Sequence, residues 1–548
     1  MKWIYTLLVV VFLVSFYFFY QTFPDNSVAV SYKEDIFSDD TLTVLLSGSR
    51  VEWDPYQLSY EDNIFLINQV FQGLVKLDEN LLVVPDLAYR WEISEDKKIF
   101  RFFLKPNQVF HNGDPLTVDD VIASLKHYFK YYSDDYFQKF LYIIAGSREF
   151  SKGEVDTIRG LKKISNVELE VELLHPYLPF LKLMTLPETK VLPGRYLKSK
   201  KLQWQGNPIG SGPYKVSAMT DDFILLEAFQ WPPRDEFSPR IKFIQLFLNW
   251  NQISERFRNK NFDISFIYDD SLFLSQKDWR IKTVKSVWQS YLGMNCQKFP
   301  TNNVLFRKAL TSAVDKEKFA AGYAPLSEPS VFLSPFNLPR EIPSKPGVKP
   351  DADEIKRLLQ AFKEENGLEK IPTISFLADT INNYFEDYQI IKKQLEKAGI
   401  PVKINFYHPD KIDKTEERKL VQKNNLYLLS WNLDLPDPEF FFYTFFYSRS
   451  LMNWSGYSSP TVDSLIQAAH DLTSIKDRLK VYEQVEEILN REIPEISLLT
   501  HKDFVIYKNY VQGIKLNKLG VRSLNLSRLY FNKTRVSQRE TNKNEQRN

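Results

Sequence analysis

The chain has 548 residues, 71 basic and 69 acidic side chains, a formal charge of +2 and an aromatic content of 15%. That balance gives no global reason to expect nucleic acid or an anionic surface as partner, and one cysteine, Cys296, excludes an intrachain disulfide and any cysteine-rich zinc site. The length predicts about three or four domain-sized units. Trp3 to Tyr20 is an almost unbroken apolar and aromatic run behind Lys2. As a helix it is about 27 Å long at roughly 1.5 Å per residue, close to a bilayer core of about 30 Å. Lys2 precedes it and Asp25, Glu34, Asp35, Asp39 and Asp40 follow, which favours the N-terminus inside and the bulk outside. Residues 1–22 therefore read as an uncleaved anchor or as a cleaved signal without the usual small residues at its end, burial in a core being the third reading. Residues 23–40 are polar and acidic, a linker.

Thr41 to Leu46 opens the folded body as a strand. Ile99 to Leu104 is a second apolar run, bounded by the Glu95 to Lys98 turn and by Lys105-Pro106-Asn107. Asn112-Gly113 marks a tight reversal. Thr117 reads as an N-cap with Asp120 completing a capping box, and Val118, Val121, Ile122, Leu125 and Phe129 recur at helical spacing. Val167 to Leu173 alternates apolar and polar residues, predicting a half-exposed strand, and Pro208 to Pro213 is a Gly/Pro turn before strands at Tyr214 to Val216 and Phe223 to Ala228.

From about residue 300 helices alternate with strands, the pattern of an α/β unit. Helices are predicted at Val304 to Val314, Glu354 to Asn366, Tyr384 to Ala398, Thr461 to Leu472 and Ser474 to Arg491, with strands at Val402 to Phe406 and Leu426 to Trp431. Gly367 and Gly399 stop the second and third helices. Residues 533–548 lack apolar periodicity and read as a disordered tail. The six histidines never take a zinc-type spacing, the Gly210-Ser211-Gly212 turn lacks the ending of a phosphate loop, and no Gly-x-Ser-x-Gly elbow occurs. No cofactor or metal site is expected.

Several blocks recur in a family order: Pro85, Leu87, Ala88 and Trp91; Phe102 or Phe103 with Leu104; Phe110, His111, Gly113, Pro115, Leu116 and Thr117; Asp119-Asp120-Val121; Pro208 to Tyr214; Arg307-Lys308-Ala309-Leu310 with Ala313-Val314-Asp315; Trp431 to Pro438; and Tyr457 to Pro460 with Asp463. In this collinear set the chain resembles the extracytoplasmic solute-binding proteins of the peptide/nickel type, the receptors of ABC importers, over roughly residues 41 to 532. The resemblance implies an α/β, two-lobed, periplasmic-binding-protein-like fold of class II type, with an extra subdomain inserted in the first lobe. Residues 41–58, 205–286 and 500–532 would form the first lobe, 59–204 the insertion and 287–499 the second lobe, with hinge crossings near Val287 and Thr500.

It further implies a non-catalytic monomer, secreted or anchored at the extracytoplasmic face of the cytoplasmic membrane, that binds a short peptide between its lobes and delivers it to an ABC permease. Family members also carry nickel-chelates, oligosaccharides, glutathione or cell-wall peptides; an extracytoplasmic hydrolase and a tethered scaffold are alternatives from other classes. Asp434 follows an apolar strand, where an unpaired carboxylate would be costly to bury. By resemblance it receives the ligand's ammonium group, and its other reading is a cap on the Asp437-Pro438 turn. Trp431 walls a side-chain pocket or packs in the core. Ser49 and Arg50 precede Trp53-Asp54-Pro55, where family members contact the ligand chain; Arg50 pairs with a ligand carboxylate or lies on the surface. Trp454 and Tyr457 line the rim or pack the Ser458-Ser459-Pro460 turn.

Overall fold

The computed structural model describes residues 41–46, 51–57, 61–132, 137–202, 204, 206–229, 243–247, 250–259, 261–267, 278–323, 326–336, 338, 350–380 and 385–532. The apolar run at Trp3 to Tyr20, the linker at 23–40, Ser49, Arg50 and the tail at 533–548 lie outside them. Among the described residues no helix is long and apolar enough to cross a membrane.

One large sheet contains β1 (Thr41–Leu45), β2 (Tyr214–Met219), β3 (Phe223–Ala228), β4 (Phe243–Phe247), β5 (Ile264–Ser265), β6 (Trp279–Met294), β7 (Ser327–Pro329), β8 (Ile374–Asp379), β9 (Val402–Tyr407), β10 (Leu426–Asn432) and β11 (Glu495–Lys508). The order is β9-β8-β10-β6-β11-β5-β1-β4-β3-β2, with β7 on β11. β8 runs parallel to β9 and β10, and β1 parallel to β5. The two longest strands, β6 with 16 residues and β11 with 14, pair antiparallel and join two sets of cores. On one side Leu42, Val44, Leu226 and Ile244 pack together; on the other Leu292, Phe306, Phe376 and Leu395 do. The architecture is α/β and two-lobed.

The pairing of β6 with β11 shifts register twice, between Ser290 and Tyr291 and, more widely, between Lys285 and Gln289. Lys285 faces Lys502 and Gln289 faces Thr500, so four steps along β6 match two along β11. Such a bulge bends the strand and leaves groups unpaired; the Val287 N–H donates instead to the Lys518 carbonyl at 2.9 Å. Val287 and Thr500, the crossings expected from sequence, both lie at this break.

A separate four-stranded sheet is ordered Ala88–Ile93, Ile99–Leu104, Glu168–Glu172, Leu161–Ser165. Helix α1 (Val118–Tyr131) buries Val118, Val121, Leu125, Tyr128 and Phe129 in the core that also takes Phe100, Phe102 and Leu169. The Asp120 carboxylate accepts the Thr117 N–H at 3.0 Å and, through its other oxygen, the Gly194 N–H at 3.1 Å. The half-exposed strand predicted at Val167 to Leu173 is more covered than its alternation suggests. Glu170 is buried because Arg101 and Lys162 on the flanking strands reach its carboxylate at 2.8 and 3.3 Å. Cross-strand ion pairs of this kind leave no mark on the periodicity of one strand.

Two of the sequence blocks lock onto each other. His111 Nδ1 accepts the Gly210 N–H at 3.2 Å and its Nε2 donates to the Gly212 carbonyl at 3.0 Å. A Cβ on Gly210 would lie 2.0 Å from the Val70 carbonyl oxygen, and one on Gly212 2.5 Å from that of Gln69. The glycines are required by backbone contact, and the turn's groups are spent inside the fold.

Helices α2 (Pro438–Phe446), α3 (Pro460–Asp471) and α4 (Ile475–Glu492) start on Asp437, Ser459 and Ser474, whose side chains accept the N–H of Glu439, Val462 and Asp477. They form a second aromatic core with Phe441, Phe442 and Tyr482. Their seam with the inserted subdomain is packed by Phe440 on Phe140, ring centres 4.3 Å apart, and by Lys182 Nζ on the Pro436 carbonyl at 3.1 Å. Arg478 grips both oxygens of Asp437, at 3.0 and 2.7 Å, and Glu439 at 2.5 Å, all three side chains being buried. Burial pushes Asp437 up, but the Arg478 and Lys182 charges outweigh it and hold the carboxyl below its usual range.

Candidate functional site

A cavity of about 1450 Å³ opens over the strands β8, β10, β6 and β11. Its floor follows from the sequence of those strands. At the bulge, Trp288 and Ser290 of β6, Ser430 and Trp431 of β10, and His501 and Asp503 of β11 all reach it. Trp288 stacks on His501 with ring centres 4.2 Å apart and donates its indole N–H to Ser430 Oγ at 2.6 Å. His501 bridges two serines, Ser290 Oγ lying 2.7 Å from Nε2 and Ser327 Oγ 2.8 Å from Nδ1. Burial lowers His501 to about 4, so the imidazole is neutral at pH 7 and serves as donor on one side and acceptor on the other.

Most carboxylates around the cavity already have a tyrosine. Tyr388 donates to Asp379 at 3.2 Å, Tyr407 to Glu417 at 2.8 Å, and Tyr323 to Asp387. Asp503 differs: it lines the cavity, its carboxylate takes no hydrogen bond among the described residues, and burial raises its pKa against the opposing charge of Arg522. Its space depends on Gly520, where a Cβ would sit 1.7 Å from Asp503 Oδ2. At the other flank Arg418, on the helix Lys414–Lys423 that follows β9, lines the cavity without a hydrogen bond or ion pair among the described residues.

Asp434 already has a cation. Arg522 Nη1 donates to its Oδ1 at 2.7 Å, while Nη2 reaches Asn432 Oδ1 at 2.9 Å and the Leu433 carbonyl at 2.6 Å. The Arg522 side chain is 4% exposed and that of Asp434 25%, leaving Oδ2 without a hydrogen bond among the described residues. The turn-cap reading of Asp434 is replaced by this contact, because Asp437 caps α2 itself. Asp434 and Asp503 thus face one guanidinium, that of Arg522, and of the three Asp503 lines the cavity.

The remaining candidates separate. Trp431 lies half-buried on the cavity wall, its ring edge-on to Phe445 at 5.4 Å. Trp454 is on the same wall, tilted against Tyr427 at 6.3 Å. Tyr457 is buried away from the cavity, with its hydroxyl donated to Glu492 Oε2 at 2.6 Å. Sequence reasoning missed Asp503, Arg522, Arg418 and the Ser290–His501–Ser327 bridge; none carries a local motif.

The arrangement is a wide aromatic-walled cleft in which Asp503 and Arg418 make no hydrogen bond among the described residues. Residues 83–453 match the family model of the bacterial extracellular solute-binding proteins, family 5 middle region. The chain is 24% identical over 497 residues to the dipeptide-binding protein DppE of Bacillus subtilis, covering 86% of this chain and 87% of that protein. It is 24% identical over 477 residues to the dipeptide-binding protein of Escherichia coli, covering 80% and 84%. The fold matches the periplasmic binding protein DppA of Helicobacter pylori, in complex with the peptide STSA, with a TM-score of 0.72 at 20% identity, over 90% of this chain and 98% of that one. The chain belongs to the bacterial extracellular solute-binding proteins of family 5.

Proposed function

We propose that the protein is an extracytoplasmic receptor that binds a short peptide in the cavity over β10, β6 and β11 and delivers it to an ABC permease. One observation carries the reading: one aromatic-walled cavity presents a carboxylate, Asp503, and a guanidinium, Arg418, that make no hydrogen bond among the described residues. A zwitterionic ligand satisfies both. The peptide's ammonium group meets Asp503 beside the Asp434–Arg522 pair, and its carboxylate meets Arg418. Trp431 and Trp454 take side chains, and Ser49 and Arg50, just before Trp53, contribute from the first lobe.

The cavity's span supports a peptide over an amino acid. Four strand spacings separate β9 from β11, about 19 Å at 4.7–4.9 Å each, and an extended chain covers about 3.3–3.6 Å per residue. A micromolar ligand requires about 8 kcal/mol net; two charge-assisted contacts with main-chain hydrogen bonds are of that order after ordering costs. The lobes are assigned as 41–58, 205–286 and 500–532 against 287–499, with 59–204 inserted and motion at the β6–β11 bulge. An N-terminal anchor or cleaved signal at residues 1–22 fits the extracytoplasmic site of action.

A hydrolase reading rests on Ser290 and His501, 2.7 Å apart. It is the weaker one, since Nδ1 meets Ser327 instead of a carboxylate and a histidine lowered to about 4 is a poor general base. Mass spectrometry of small molecules released from the full-length protein by denaturation tests the proposal. Peptides are expected; a sugar or a metal chelate in their place would overturn it.

A further inference from the structure

His175, His470 and Asp471, none of which lines the cavity, bring two imidazole nitrogens and a carboxylate oxygen within 4.8 Å of one another. His175 lies in the loop after the Glu168–Glu172 strand of the four-stranded sheet, whereas His470 and Asp471 end α3 on the opposite side of the seam. We propose that this cluster is a binding site for one borderline divalent transition-metal ion, of the Zn²⁺ or Ni²⁺ class, held across the seam between the inserted subdomain and the second lobe.

The hydrogen bonds around the two imidazoles leave the right atoms open. His470 Nδ1 lies 2.7 Å from Glu439 Oε1. Glu439 is 1% exposed and its Oε2 accepts from Arg478, which leaves Oε1 to accept from the imidazole. In the neutral imidazole Nδ1 therefore carries the proton and Nε2 keeps its lone pair. A buried carboxylate on the far nitrogen is the arrangement that orients a metal-binding histidine and raises its basicity. His175 Nδ1 is 3.3 Å from the Pro176 carbonyl, also an acceptor, which leaves its Nε2 open in the same way. The two rings meet at 5.0 Å between centres and 66° between planes, and Tyr177 closes one side of His470 at 4.8 Å.

Charge and geometry fit a cation of this class. The C-terminus of a twelve-residue helix, α3, brings the negative end of its dipole to the same spot. Asp471 is exposed, so its carboxylate can turn inward. Donors of a tetrahedral ion sit about 3.4 Å apart for bonds of about 2.0–2.1 Å; rotation of side chains by about 1 to 1.5 Å assembles the set. Two imidazoles and one carboxylate suit Zn²⁺ or Ni²⁺, while Mg²⁺ and Ca²⁺ prefer oxygen ligands. Water would complete the shell.

Calorimetric titration of the untagged, chelator-treated full-length protein with ZnCl₂ and NiCl₂ tests the site. About one equivalent is expected to bind, MgCl₂ should give no heat, and His175→Gln and Asp471→Asn should each weaken binding at least tenfold. His175→Gln lies in a loop, and its metal-free melting temperature reports whether it folds. In the wild type Zn²⁺ should raise that temperature, and in His175→Gln it should not. Absence of binding, or binding that is the same in His175→Gln and His470→Gln as in the wild type, would overturn the proposal. Peptide binding enters neither readout, so the result is independent of the receptor reading.

Discussion

Arg522 and Asp434, 88 residues apart, are joined by a 2.7 Å hydrogen bond between Nη1 and Oδ1. The guanidinium also holds Asn432, Leu433 and Leu519, so one buried side chain ties the loop after β10 to the C-terminal segment. Through this pair the chain supplies its own counter-ion where the resemblance places a ligand's. The cavity's uncompensated carboxylate is shifted to Asp503, which feels the same Arg522 charge.

Replacing Asp434 by Ala removes the one carboxylate hydrogen-bonded to the buried Arg522, which keeps its neutral acceptors Asn432, Leu433 and Leu519 and the more distant charge of Asp503. A loss of about 2–3 kcal/mol of stability is expected, between a charged hydrogen bond and a fully buried pair. Urea unfolding of the two proteins measures it; equal midpoints would mean that the pair adds nothing to the fold.

His111 is held neutral, because burial lowers it from the ordinary 6.5 to about 4. Its folded value lies below its unfolded one, so its contribution is fully present above about pH 6.5 and is lost as pH falls toward 4. That contribution is about 3 kcal/mol. His111→Gln retains one donor and one acceptor, and its stability should fall less steeply over this window than that of the wild type in parallel denaturant titrations.

Glu495 has the opposite sign. Burial raises it from 4.5 to about 8, so the folded state keeps a proton that the unfolded chain releases. Stability from this group is present below about pH 4.5 and is lost as pH rises through 8. Glu495→Gln should therefore stabilise the protein by about 3 kcal/mol at pH 7 and by little at pH 4.5, read from denaturant midpoints at the two pH values.

Gly210→Ala drives a Cβ to 2.0 Å from the Val70 carbonyl oxygen, whereas at Gly322 a Cβ meets nothing within 4 Å. A loss of about 3 kcal/mol is expected at Gly210 and near-neutrality at Gly322. Thermal unfolding of the two variants side by side checks the contrast.

Local chemistry made much of the fold legible. The strand Ile99–Leu104 appears with the predicted bounds, and Gly367, with a φ of +64°, ends its helix as its position suggests. The capping residues Thr117 and Asp120 are in contact because three positions along a helix start are always neighbours. Likewise Trp431 reached the cavity from an apolar strand whose end was readable. What stayed hidden depends on contacts between distant segments. The lysine and arginine that cover Glu170, the guanidinium that meets Asp434 and the glycine that makes room for Asp503 belong to other elements. Asp503 reads in the sequence as an ordinary polar position within a long strand. His175 and His470 show no ligand spacing, since the fold, and not the sequence interval, brings them together.

The central claim is that the cavity binds a peptide through Asp503 and Arg418. Isothermal titration of the full-length protein with a short unmodified peptide identified by release, beside its N-acetylated form, tests this most directly when repeated on Asp503→Asn. The account predicts that acetylation and Asp503→Asn each weaken binding by about 2–5 kcal/mol, roughly 30-fold or more, and that together they cost little beyond either alone. Wild-type affinity in Asp503→Asn, with full sensitivity to acetylation, would contradict it.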